Sequence, residues 1–173
     1  YYAEMELNNR FEKFSKEWIN YPLGVFNEFS NIGVTDFYGL DLLYYGNIPN
    51  GAGLSSSASV ETVTAAMINE IFAHNKFSQV ELALLCQKAE NNFIGVNCGI
   101  MDQFAVVMGK KGYAIFLKCD NLKYELVPLL LNNYKIVIAN TNKKRTLEGS
   151  KYNERRAECE LAVEQISKKK NIE

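Results

Sequence analysis

The sequence is poor in the residues that most hydrolases and metal sites depend on. It has a single histidine, His74, near the end of an expected helix. That histidine has no Ser or Cys partner in a recognisable motif. It reads as a surface residue, which sets a Ser–His–Asp hydrolase aside. The four cysteines, Cys86, Cys98, Cys119 and Cys159, form no CxxC pair. A zinc site or a redox dithiol is therefore not expected. Scattered thiols suit a reducing compartment, so the expected location is cytoplasmic. No apolar run approaches the roughly 20 residues of a membrane span, and nothing at the start reads as a signal peptide. Neither sign of charge dominates, since the net charge is -1. No basic field exists to steer nucleic acid or an anionic membrane, and neither is expected as a partner. Lys143-Lys144-Arg145 and Lys168-Lys169-Lys170 are short runs of the kind found on solvated surface. There is no internal repeat and no low-complexity linker. The chain opens on Tyr1-Tyr2 without an initiator Met and stops within a charged helical pattern. A piece of a longer protein is the expectation.

What is present is ordinary globular material. The 173 residues are 47% hydrophobic and 23% charged, enough for one domain with a core or for part of a larger one. Residues 1–15 are polar and mixed, a helix or an ordered arm. Trp18, Tyr21, Val25, Phe26 and Phe29 predict a helix over 18–29, with Pro22 tolerated in its first turn. Thr35 to Ile48 reads as one or two strands. A helix is expected from Ser55–Ser57 to about Asn75, with Val60, Val63, Thr64, Met67, Ile68, Ile71 and Phe72 as its apolar face. Ser78 and Glu81 fit a capping box for a second helix, which buries Leu82, Leu85, Cys86 and Ala89 and ends near Asn91–Asn92. Residues 97–102 turn into a short third helix that Gly109 stops. Tyr113–Cys119 and Tyr134–Ala139 read as strands, and Leu147–Lys169 as the last helix. Interleaved strands and helices predict an α+β fold with a mixed sheet and helices against one face.

The stretch Asn-Ile-Pro-Asn-Gly-Ala-Gly-Leu-Ser-Ser-Ser-Ala-Ser-Val-Glu, residues 47–61, carries the first chemical signal. A glycine loop feeding a helix N-terminus offers unpaired N–H groups and the positive end of a dipole to an anion. Gly51 and Gly53 allow close backbone approach, and Ser55, Ser56 and Ser57 add hydroxyls, one of which could ligate magnesium. It is not a Walker loop, because no Lys follows Gly53. A glycine turn before a Ser N-cap explains the same residues with no ligand. The second signal is residues 89–104, where Glu90 and Asp102 flank a glycine-containing turn among apolar neighbours. An acid between Met101 and Phe104 is costly to bury without partners. Asp102 could be a helix-capping carboxylate and Glu90 a solvated helix end. Near a phosphate loop, one acid could instead hold magnesium while the other orients or deprotonates an attacking hydroxyl.

Residues 49–59 resemble the phosphate-binding motif of the GHMP kinases. Cys98-Gly-Ile-Met-Asp-Gln-Phe104 and Ser150-Lys-Tyr-Asn-Glu-Arg-Arg-Ala-Glu-Cys-Glu160 resemble, more narrowly, the galactokinase branch. The three motifs in this order make the resemblance specific, and it covers essentially the whole chain. The resemblance implies the GHMP kinase N-terminal domain, with the ribosomal protein S5 domain 2-like fold, over residues 1–145. Residues 146–173 would be a helix leading into a truncated second domain. It implies ATP and Mg2+ as cofactors, and phosphorylation of α-D-galactose at O1. By the same resemblance Gly51, Ala52, Gly53, Leu54, Ser55, Ser56 and Ser57 would wrap the ATP phosphates. Ser57 and Glu90 would hold the metal. Asp102 would be the catalytic carboxylate beside the sugar, Gly99 and Tyr152 would line the sugar pocket, and Trp18 would pack near the adenine unless it is a plain core tryptophan. The full-length enzyme would be a monomer.

The departures are at the ends. The family's Gly-Glu-His-Thr-Asp signature, with its preceding catalytic arginine, would lie before Tyr1, and its glycine-rich third motif beyond Glu173. Arg155 and Arg156 follow Tyr152 on a helix and read as structural or surface residues, not as that arginine. Three alternatives remain open. One is a kinase for another sugar such as N-acetylgalactosamine. Another is a galactokinase-like sugar and ATP sensor that binds a transcriptional regulator, although the serine loop that is shortened in such a sensor is intact here, from Leu54 to Ser59, and favours the enzyme. The third is a folded segment with no activity of its own.

Overall fold

The computed structural model describes residues 4–5, 11–14, 18–49, 52–140 and 150–170. Helix α1 spans Asn20–Asn31 and has Pro22 in its first turn, where a missing N–H costs nothing. It buries Leu23, Val25, Phe26 and Phe29. It ends where Gly33, at φ +90°, turns left-handed and Val34 N–H closes back on Phe29 O at 3.0 Å. Helix α2, Ser56–Ile71, stops short of the expected Asn75 because His74 and Asn75 both take positive φ. His74 is exposed, as expected. Asn69 then ties the connection to the next helix, donating to Phe77 O and accepting from Phe77 N–H, each at 3.0 Å.

Helix α3, Gln79–Lys88, starts with the full capping box of Ser78 and Glu81. It does not end near Asn91. The chain widens into a π-helix, Ala89–Ile94, closed by Gly95 at φ +89°. Helix α4, Met101–Met108, follows and is stopped by Gly109. Strands β1, Tyr113–Lys118, and β2, Lys123–Pro128, pair antiparallel with Tyr113 opposite Pro128 and Lys118 opposite Lys123. Helix α5, Ser150–Lys170, completes the order; the first expected residues of that helix, 147–149, lie outside the described residues.

The core is helical. Phe11, Leu23, Val25, Phe26 and Phe29 pack with Ala65, Ile68, Leu82, Leu85, Cys86, Ala89 and Phe93. A second cluster joins Ala83, Ile100 and Phe104 to Ile115 and Leu117 of β1. The α+β class holds, but the sheet among the described residues is one antiparallel pair, not a mixed sheet. Residues 35–48 and 134–139, expected as strands, have no ladder partner there, and a strand without a partner leaves its N–H and C=O groups unpaired. β2 was not anticipated. Of the helix or ordered arm expected over residues 1–15, residues 4–5 and 11–14 are not helical and Phe11 is buried, while the rest lies outside the described residues. The expected face of α2 is also out of phase. Thr64 and Ile68 are buried, but Val63 is 55% and Ile71 39% exposed, while Glu61, Thr62 and Asn69 are buried. The helix carries apolar residues on more than one side. α1, α3 and α4 pack on the side whose polar groups find partners inside.

Candidate active site

The Gly–Ser loop enters α2 through two left-handed residues, Gly53 at φ +72° and Ser55 at φ +55°, ψ +40°. For a serine that region costs about 1–2 kcal/mol, a strain of the kind held at ligand sites. Ser55 stands at the N-cap, yet its side chain makes no capping bond, and no acidic side chain occupies the first turn of α2. Ser55 thus leaves the N-terminal N–H groups without its cap, at the positive end of a 16-residue helix. Ala52, Leu54, Ser55, Ser56 and Ser57 are half-buried and Gly53 is exposed; Gly51 lies outside the described residues.

Ser57 on α2 comes near Glu90 on the π-helix, and its hydroxyl is the smallest of the influences that lower the carboxylate's pKa. Glu90 is buried, which corrects the alternative of a solvated helix end: the extra turn of π-helix carries it inward instead of ending the helix there. The Gln103 amide donates to Glu90 Oε2 at 2.6 Å and to Glu61 Oε2 at 3.2 Å. The Cys98 thiol donates to the same Glu90 oxygen at 3.6 Å and to Asn91 Oδ1 at 3.3 Å. Burial raises the Glu90 pKa, the hydrogen bonds from Cys98 and Gln103 oppose it, and the Asp102 charge raises it further. Burial, then the Glu90 charge, raises Glu61. Burial, then the two glutamates, pushes the Cys98 thiol up to about 12. Tyr21 on α1 faces the same carboxylates, and its pKa is raised by burial and then by them.

Asp102 lies in the first turn of α4, where the helix dipole favours a carboxylate. The N-cap is Ile100, so Asp102 is not the capping residue. It is exposed rather than buried among its apolar neighbours. Helical rotation turns Gln103 and Phe104 inward and leaves Met101, at 65% exposure, outside with it. Its charge still acts on both Glu61 and Glu90. Gly99 is exposed, with no atom within 4 Å of where a Cβ would stand. Tyr152, half exposed on α5, adjoins Asn153, whose side chain accepts from Asn97 N–H at 2.9 Å and donates to Gly95 O at 3.0 Å. That pair ties α5 to the turn carrying Gly99. Trp18 is half-buried, edge-on to Tyr44 with centroids 5.5 Å apart, and the Tyr44 hydroxyl shares a 2.8 Å hydrogen bond with Thr64 of α2. Arg155 and Arg156 form exposed ion pairs with Glu158 and Glu160, contacts worth about 0–1 kcal/mol.

The fold therefore brings Ser57, Glu90 and Asp102 to one place. Sequence reasoning missed Glu61, Gln103 and Tyr21. Gln103 sits inside the Cys98–Phe104 motif, and Glu61 shares the helical phase of the small residues Ala58 and Ala65, a charge where a core residue belongs. Among the described residues no group of three or more His, Cys, Asp or Glu side chains is placed to hold a metal. The Ser57 hydroxyl and the Glu90 carboxylate are hard oxygen donors. They fit Mg2+, which keeps waters and phosphate oxygens as its other ligands. No helix among the described residues is long and apolar enough to cross a membrane.

Residues 20–110 match the family described as GHMP kinases N terminal domain. The chain is 53% identical over 169 residues to a galactokinase of Clostridium beijerinckii, covering 98% of this chain and 43% of the relative. It is 58% identical over 155 residues to a galactokinase of Clostridium tetani, covering 90% of this chain and 39% of the relative. The crystal structure of Lactococcus lactis galactokinase complexed with galactose superposes with a TM-score of 0.80 at 42% identity, covering 91% of this chain and 40% of that one. The chain thus spans about two fifths of the length of the relatives it matches.

Proposed function

The chain belongs to the GHMP kinase family through its N-terminal domain, and from that premise we propose that it is the ATP-binding part of a cytoplasmic, monomeric galactokinase. The whole protein would transfer the γ-phosphoryl group of ATP to O1 of α-D-galactose. Residues 1–145 form the nucleotide-binding part in this reading, and residues 146–173 lead to a second domain. The observation that supports it most directly is the Ser57 hydroxyl near the buried Glu90 carboxylate, at a helix N-terminus whose N-cap Ser55 makes no capping bond, with exposed Asp102 in electrostatic range. The identity to galactokinases, and the likeness to one solved with galactose, favour galactose over another sugar.

Each residue then has a task. The backbone from Gly51 to Ser57 and the first N–H groups of α2 receive the phosphates. Ser57 and Glu90 would hold Mg2+, which when bound would neutralise phosphate charge. Asp102, free of burial, orients the O1 hydroxyl toward the γ-phosphorus. It accepts the hydroxyl proton as the new O–P bond forms and ADP leaves. Gly99 and Tyr152 line the sugar side, and Trp18 the adenine side.

The test is ADP release by the full-length protein carrying this segment, with ATP, Mg2+ and a panel of sugars, beside Asp102→Asn. Turnover on galactose is expected, and Asp102→Asn should lower kcat by about 10²–10⁴-fold with ATP affinity nearly unchanged. Unchanged turnover in the variant overturns the role of Asp102. Nucleotide binding without turnover on any sugar favours a sensor instead.

A further inference from the structure

Behind Ser57 and Glu90 lies a buried polar layer that phosphoryl transfer does not itself use. Glu61 on α2 and Gln103 on α4 are both fully buried. An amide nitrogen carries two N–H donors, and Gln103 commits its Nε2 to two carboxylates, Glu90 Oε2 at 2.6 Å and Glu61 Oε2 at 3.2 Å. The remaining oxygens of that pair, Glu61 Oε1 and Gln103 Oε1, are buried without a hydrogen-bond partner. Two orphaned acceptors in one closed layer need a donor.

A carboxyl proton on Glu61 would supply it. A neutral carboxyl group pairs with an amide through two antiparallel hydrogen bonds: amide N–H to acid oxygen, and acid O–H to amide oxygen. The first is the observed Gln103–Glu61 contact, and the second uses the two orphaned atoms.

We propose that Gln103, braced by Glu61, is a positioning residue that fixes the Glu90 carboxylate for a divalent cation. This rests on the reading of Ser57 and Glu90 as cation ligands. Gln103 and Cys98 both occupy Oε2 of Glu90, so the other carboxylate oxygen is the one left for an ion. Residues that orient a ligand in this way set metal affinity without touching the metal. The bracing pair also makes Glu61→Gln a conservative change, because a Gln side chain there would accept from Gln103 Nε2 and donate to Gln103 Oε1. Gln103→Met keeps length and volume and removes both bonds.

The experiment measures Mn2+ binding by electron paramagnetic resonance, in the presence of ADP, on the full-length protein carrying this segment. ADP affinity without metal and the melting temperature are measured in parallel. Gln103→Met is expected to weaken Mn2+ by about 10–100-fold while metal-free ADP affinity holds. Glu61→Gln is expected to bind Mn2+ within about twofold of wild type, as an outer-shell partner is retained. Wild-type Mn2+ affinity in a folded Gln103→Met overturns the positioning role and leaves the kinase reading standing. Absence of Mn2+ binding in the wild type overturns both. If Gln103→Met does not fold, Glu61→Gln decides: retained affinity supports the brace, and lost affinity overturns it.

Discussion

At the scale of single residues, the site depends on where carboxylates sit relative to water. Asp102 is exposed on α4, while Glu61 and Glu90 are buried behind it. Burial raises both buried acids above the ordinary value of 4.5. The sign follows from proton linkage. A carboxyl with a raised folded pKa binds its proton more tightly in the folded state. Its stabilisation is fully present below the unfolded value and is lost as pH rises through the folded value. In metal-free buffer the unfolding free energy should fall as pH goes from about 5 to about 8, by at most about 1.4 kcal/mol per unit for each such group, and the melting temperature with it. Glu61→Gln should flatten that slope. An equally steep fall in the variant would show that Glu61 is not the group responsible. The family motifs named Ser57, Glu90 and Asp102 from sequence. They did not name Glu61, because the charge of a helical residue says nothing of which face it occupies until the neighbours are in place.

At the scale of elements, the capping box was legible because its chemistry is local. Ser78 Oγ accepts from Glu81 N–H at 3.4 Å, and Glu81 Oε2 accepts from Ser78 N–H at 2.8 Å. Ser78→Ala should cost about 1 kcal/mol and speed amide exchange along α3. The effect should reach Glu90, since α3 runs without a break into the π-helix that carries it. Exchange confined to the first turn of α3 would show that the two helices open separately. The π-helix itself was not legible. Its extra residue per turn is set by contacts on both sides. Gly24 of α1 lies so close that an added Cβ would stand 3.1 Å from Phe93 Cβ. Asn91 Oδ1 accepts from the Cys98 backbone N–H at 2.9 Å.

At the scale of the whole molecule, one helical core holds the site's elements in register. Phe29 is fully buried and meets Phe77 edge-on with centroids 5.6 Å apart. Phe29→Ala should cost about 3–5 kcal/mol, read as a lower urea midpoint. A cost below about 1 kcal/mol would mean that the surrounding helices close the cavity. The sequence by itself determined the helices α1 to α5 to within a few residues, the α3 cap, the stop at Gly109 and the kinase motifs. Each is written in neighbouring residues: apolar spacing, a cap side chain, a glycine, a short motif. Tertiary structure alone decided which face of α2 is buried, that Tyr113–Lys118 pairs with Lys123–Pro128 while 35–48 and 134–139 find no ladder partner among the described residues, and that Gln103 joins Glu61 to Glu90. Those outcomes depend on partners distant in the chain, because burial, strand pairing and a buried hydrogen bond all require a second surface that local sequence does not contain.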